Sequence, residues 1–166
     1  FHIYCNFFVF QFEVRNVGYS NLGDYQKSRD YYQQALTTSQ KLKNRRGEGI
    51  AFLTLASNYF SQGNPQKTVE LSQQALTIFQ EIKVPKLQAS AHRMLSFGYG
   101  ELGNDANAMK SAQSFLEFSR KVENPVFEKN ALNFLGMIHY RFGRNQEAIK
   151  AYQQAIAIQT PENVTG

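Results

Sequence analysis

The triplet Gly98-x-Gly100-x-x-Gly103 within GYGELGND has the spacing of a phosphate-cradling, dinucleotide-binding turn. That chemistry needs a strand before the first glycine and a helix opening after the last, so that backbone N–H groups converge on a pyrophosphate. Here the residues upstream follow a helical stripe, and no strand–helix–strand unit surrounds them, so the fingerprint fails on its context. The remaining chemistry-bearing residues are sparse. His2, His92 and His139 never stand at the i, i+4 spacing of a helical metal site, and Cys5 is alone. An internal disulfide framework and a Cys-based zinc site are therefore excluded. No GxxxxGK[ST] loop is present, and no pair of carboxylates or Ser/His arrangement stands out. The sequence is read as non-enzymatic and without a cofactor; a catalytic domain in a longer parent is a separate matter.

The glycines take their meaning from a longer rhythm. With a shift of 40 residues Gly23, Gly63, Gly103 and Gly143 share one column, and Tyr19, Tyr59, Tyr99 and His139 share another. Leu55, Leu95 and Leu135 form a third column. QQALT occurs at 33–37 and at 73–77, and QQA returns at 153–155. Fixed self-similarity at this period marks an array of stacked units. Within LQASAHRMLSFGYGEL, Ala91, Met94, Leu95, Gly98, Tyr99 and Leu102 recur at three- and four-residue intervals, which predicts a helix. Gly103-Asn104-Asp105 breaks it, and a second amphipathic run follows through Ala108, Met109, Ala112, Phe115 and Leu116. The plan repeats as Ala51 to Phe60, GNPQ, Val69 to Phe79, and as Ala131 to Phe142, GRNQ, Ala148 to Ile158. The column glycines thus close the first helix of each pair, where a left-handed residue is needed. Asp24, Asn64 and Asn104 stand ready to cap the second.

These columns resemble the tetratricopeptide repeat (TPR). The best copy is Leu55-Ala56 with Tyr59, Gly63-Asn64, Thr68, Ser72 and Ala75. The fourth copy has Leu135-Gly136, His139, Gly143, Ala148, Tyr152 and Ala155, and the third has Leu95-Ser96, Tyr99, Gly103-Asn104, Ala108 and Ala112, with Phe115 in place of the usual Ala. The first keeps Tyr19, Gly23-Asp24, Ser28, Tyr32 and Ala35 but carries Arg15-Asn16 at the Leu-small positions. The 40-residue length is similar to the long-helix subclass of kinesin light chains, peptide-sensing bacterial regulators and CHAT-associated arrays. The resemblance implies an all-α, right-handed α-solenoid of about four antiparallel helix pairs. Its organisation would be an atypical hydrophobic segment over 1–14, an array over 15–160 with repeats near 7–42, 47–82, 87–122 and 126–160, and a tail over 161–166. Residues 1–14 alternate like a strand at Phe8, Phe10, Phe12 and Val14, yet by register belong to a first helix, here favoured as a distorted one.

The same resemblance places a partner on the concave face of the first helices. Carried over by register, the candidate groove is Ser57, Phe60 and Ser61, then Arg93, Phe97 and Glu101, then Asn133, Met137, Tyr140 and Arg141. Phe97 and Met137 have an alternative place between neighbouring repeats. A carboxylate clamp for C-terminal peptides would need Lys and Asn where Glu13 and Val17 stand, which argues against that specialisation. The expected function is a protein- or peptide-binding scaffold within a larger bacterial signalling or assembly protein. The alternatives are a structural or oligomerisation spacer and, less favoured, a nucleic-acid-binding helical repeat. The last is suggested by the net charge of +5 and pI near 9.3 and by the cluster Lys41, Lys43, Arg45, Arg46, itself read as a solvated turn. No stretch reaches the ~18 apolar residues of a bilayer span, and a reducing, cytoplasmic setting is expected. The absence of an initiating Met and of a polar terminal cap suggests an excised piece of a longer chain, or an end open to self-association.

Overall fold

The structure is a computed structural model that describes residues 25–158. The readings of Gly23, Asp24, His2, Cys5, Glu13, Val17, repeat one upstream of Tyr25, residues 1–14 and the tail lie outside the described residues. Among those described there are seven helices and no strand. They are α1 (Tyr25–Lys41), α2 (Arg45–Ser61), α3 (Pro65–Glu81), α4 (Pro85–Glu101), α5 (Asp105–Arg120), α6 (Pro125–Arg141) and α7 (Asn145–Ala157). The chain divides into two compact units, Phe1–Lys83 and Val84–Gly166. The first holds α1 to α3 and the second α4 to α7, each helix packed on the next within its unit.

The starts and stops follow from local chemistry. Asn44, Asn64, Asn104 and Asn124 each accept, through the side-chain oxygen, the N–H three residues on, satisfying a donor left over at a helix start. Pro65, Pro85 and Pro125 open α3, α4 and α6, where a missing N–H costs nothing. The helices therefore begin earlier than the apolar stripes indicate: α3 starts inside GNPQ at Pro65. Phe142 and Ile158, read as the ends of helices, fall one residue beyond α6 and α7 as their C-caps.

The glycine column closes α2, α4 and α6 as expected. Gly63, Gly103 and Gly143 have φ of 70°, 69° and 71°. In each case the next N–H (Asn64, Asn104, Arg144) donates back to the carbonyl oxygen of Tyr59, Tyr99 or His139 at 3.0, 2.9 and 2.9 Å. That six-residue closure requires a left-handed residue at its penultimate position, and glycine enters it without a Cβ penalty.

In the first unit, Leu36 of α1 packs with Ala51 and Leu55 of α2, and Tyr32, Phe52 and Leu71 lie against them. Phe79 is fully buried. It sits so close to Gly49 that a Cβ there would lie 2.5 Å from its ring, so α2 and α3 touch where one has no side chain. The Thr68 hydroxyl donates to the Ala56 carbonyl oxygen at 3.3 Å, pinning the same crossing.

The second unit repeats the arrangement with a reversed hydrogen bond: the Ser96 hydroxyl on α4 donates to the Ala108 carbonyl oxygen on α5 at 2.8 Å. At the equivalent crossing Gly136 leaves room for the ring of Tyr152, which would meet a Cβ at 2.7 Å. Phe115 replaces the small residue of its column and is 3% exposed. It is accommodated by α6, whose Phe127 and Phe134 meet it edge-on at centroid separations of 5.9 and 5.4 Å. Such T-shaped pairs add about 0.5–1.5 kcal/mol beyond burial. Met109, Ala112, Leu116, Ala131, Leu132 and Ile138 complete that core.

Candidate interaction face on α4 and α6

α4 turns Gln88, Ala89, Ala91, Met94, Leu95, Ser96 and Gly98 inward, and α6 turns Ala131, Leu132, Phe134, Gly136 and Ile138 inward. Because a helix turns every 3.6 residues, one outward stripe is left on each. On α4 it carries the exposed Arg93 and Glu101 with Phe97 half-buried between them; on α6 it carries Asn133, Met137, Tyr140 and Arg141, all exposed. Two contacts bring the stripes side by side. The Phe97 ring meets Phe134 edge-on at 4.9 Å between centroids. Arg141 donates from Nη1 to the Glu101 carboxylate at 2.8 Å and from Nη2 to the Gly100 carbonyl oxygen at 3.2 Å. Its guanidinium lies over Gly100, 3.6 Å from where a Cβ would stand.

The seven sequence-derived groove residues of the second unit therefore share one face but differ in what they can offer. Phe97 leans into the core and presents only its outer edge. Glu101 and Arg141 neutralise each other, both side chains less than half exposed. Tyr140 is 68% and Met137 39% exposed, the large apolar side chains of the outward stripe of α6. The three residues on α2 belong to the first unit. There Ser61 donates from its hydroxyl to the Ser57 carbonyl oxygen at 3.2 Å, Phe60 is half-buried, and Ser61 is exposed.

Lys86, Ser90, Val126 and Asn130 extend the same stripes toward the helix starts and were not singled out by sequence. Lys86 and Asn130 are exposed and Val126 is 39% exposed. The signal was available: each stands three or seven residues before Arg93 or Asn133, one or two turns up the same face.

The histidines sit elsewhere. His92 of α4 stacks on Phe118 of α5 at 5.4 Å, and burial pushes its pKa down, partly countered by Glu117. His139, at the end of α6, is lowered first by burial and then by Arg144, with Glu147 opposing. Both Nδ1 atoms are buried without a hydrogen-bond partner. Among the described residues no three His, Cys, Asp or Glu side chains gather as a metal site would require, and no helix is long and apolar enough to cross a membrane. Gly98 and Gly100 lie within α4 and Gly103 in its closing turn, so the fingerprint spacing belongs to a helix end.

No curated protein matches the sequence. Solved structures do match in fold. BtubC from P. vanneervenii aligns with a TM-score of 0.79 at 17% identity, over 95% of this chain and 65% of its own. The Rap protein complexed with competence and sporulation factor gives 0.76 at 16%, over 91% of this chain and 43% of its own. The TPR-like repeats of a Podosopora anserina kinesin light chain give 0.74 at 20%, over 93% and 79%. The present chain thus spans about two thirds of the first of these and less than half of the second. These likenesses establish the all-α helical-repeat fold of the solenoid class. Tetratricopeptide repeat profiles match residues 17–81 and 130–160, together more than half of the chain. The glycine turns, the small-residue helix crossings and these matches agree: the chain belongs to the tetratricopeptide repeat family.

Proposed function

We propose that this chain is a protein- or peptide-binding scaffold and that the α4/α6 face is its binding surface within the second unit. The observation that carries the reading is the exposure of Tyr140 and Met137 beside the half-buried Phe97. Aromatic and methionine side chains at the centre of a patch with a polar surround are the usual anchors of a protein contact. Neighbours of the same fold include one solved with a bound factor, the Rap protein. Arg93 and Asn133 would fix register, while the Arg141–Glu101 pair holds the two helices at a set spacing. Ser57, Phe60 and Ser61 would serve the first unit in the same way.

Selection from a displayed peptide library, followed by affinity measurement on synthetic hits, tests the reading. Tyr140→Ala removes mainly exposed atoms and should leave the melting temperature unchanged, while Met137→Ala, at a side chain 39% exposed, should lower it only slightly. Each should weaken the hits by at least about tenfold, the loss of one anchor of roughly 1.4 kcal/mol or more. Hits that bind both variants as well as the parent would place the contact elsewhere.

A second reading, a spacer that self-associates, is favoured by Ile149 and Ile156 on α7, which are 55% and 75% exposed. Sedimentation across a concentration series separates the two: a strict monomer removes the spacer reading and leaves the groove.

A further inference from the structure

The charges on the α4/α6 face are not balanced. Arg141 and Glu101 are committed to each other. Glu128, at the start of α6, is held by Arg120 of α5, N to O 2.8 Å. What remains is Lys86 and Arg93 of α4, both exposed, and the half-buried Lys129 of α6, none with an ion pair among the described residues. The other polar groups on the two stripes are the uncharged Ser90, Asn130 and Asn133. The face therefore offers two unpaired cations on α4, and an apolar patch (Met137, Tyr140, the edge of Phe97) farther along the same axis.

The spacing is set by helix geometry. Lys86 and Arg93 are seven residues apart, about 10 Å along α4 at 1.5 Å per residue. Tyr140 is the register equivalent of Gly100, and the Arg141–Glu101 contact, 40 residues apart, shows that equivalent positions on the two helices lie abreast. Measured along the axis, Tyr140 thus stands about another 10 Å beyond Arg93, on the neighbouring helix. An extended peptide advances about 3.3 Å per residue, so each interval takes about three residues.

Resting on the reading of this face as a peptide site, we propose that its occupant is an extended acidic segment. It has two carboxylates about three residues apart, against Lys86 and Arg93, and an aliphatic or aromatic side chain about three residues further on, against Met137 and Tyr140. The carboxylates meet cations that have no ion pair among the described residues. The apolar side chain covers surface that the fold leaves open. Asn130 and Asn133, between the two zones, carry amides able to donate to and accept from a peptide backbone.

The test uses the whole chain and two fluorescein-labelled peptides, Asp-Ser-Ser-Asp-Ser-Ser-Leu and the same peptide with Asn for Asp, each also made in reverse order. Fluorescence anisotropy at about 50 mM salt should show one orientation of the acidic probe binding about tenfold tighter than its amide control, from two charge pairs of modest worth each. The preference should largely disappear by about 500 mM, where exposed charges are screened. Arg93→Glu and Lys86→Glu should each erase or invert the preference without moving the melting temperature. Tyr140→Ala should weaken acidic and amide probes alike.

Equal binding of the two probes, with sensitivity to Tyr140→Ala, overturns the acidic preference and leaves the binding face intact. A preference for acid that ignores both Arg93→Glu and Lys86→Glu overturns the assignment of the cations. Failure of every probe to bind overturns this inference, while the library selection still judges the face by itself. Binding of a single-stranded RNA oligomer that is lost in Lys86→Glu, with no peptide bound, would hand the cations to nucleic acid instead.

Discussion

Two histidines outside the candidate face should set the pH response. His92 and His139 have buried Nδ1 atoms without partners, and burial lowers both pKa values from the ordinary 6.5. A histidine whose folded pKa lies below its unfolded one takes up protons more readily when unfolded, so stability is whole above the unfolded value and falls as pH drops through it. The melting temperature should hold steady from about pH 8 to 7 and decline between about pH 6.5 and 5.5, before carboxylates titrate. His92→Phe keeps the stack on Phe118 and should flatten part of that decline; an unchanged slope would show that this histidine is already accessible to protons when folded. The packed setting of His139 was legible in the sequence because it shares a column with Tyr19, Tyr59 and Tyr99. The stack of His92 on Phe118 was not, since the two lie on different helices and no local pattern joins them.

At the scale of the element, the turns between repeats differ from those within them. Inside a repeat the left-handed position is glycine. Between repeats it is Lys43, Lys83 or Glu123, with φ of 51°, 54° and 55°, and these too recur every 40 residues. The sequence betrays only the first set, because glycine advertises a positive φ and a lysine does not. The side-chain caps are likewise uneven. Asn44, Asn64, Asn104 and Asn124 supply one, whereas Val84, in the same column as Asn44 and Asn124, supplies none. Val84 is already in the extended conformation a cap requires, φ −105° and ψ 98°. Val84→Asn should therefore stabilise the protein, and Asn124→Ala destabilise it, each by about 1 kcal/mol. Urea denaturation of the two variants measures both. A loss on Val84→Asn would mean that the apolar contacts of the valine outweigh the bond gained.

For the molecule as a whole, the fold was legible and the face only partly so. Helices, glycine turns and the small-residue crossings all repeat, and anything that repeats is visible by laying the chain on itself. Phe97 shows the limit. The register offers it two places, the outer stripe or the seam between repeats, and its half-buried ring takes part of each, edge-on to Phe134 in an aromatic cluster with Phe115 that no local pattern shows. The commitment of Arg141 to Glu101 was hidden for the same reason, as a contact across 40 residues.

The uncovered flank of α7 has one further consequence. Ile149 and Ile156 stand in the columns of Met109 and Leu116, yet those two are 6% and 9% exposed under α6, whereas the isoleucines face water. α5 is clasped between α4 and α6, but among the described helices α7 leans on α6 alone. Opening free energies follow such differences in support. Deuterium should therefore reach the amides of α7 well before those of α5, although both helices have the same sequence plan. The second unit would then loosen from α7 first, and equal protection of the two helices would show instead that it yields as a single block.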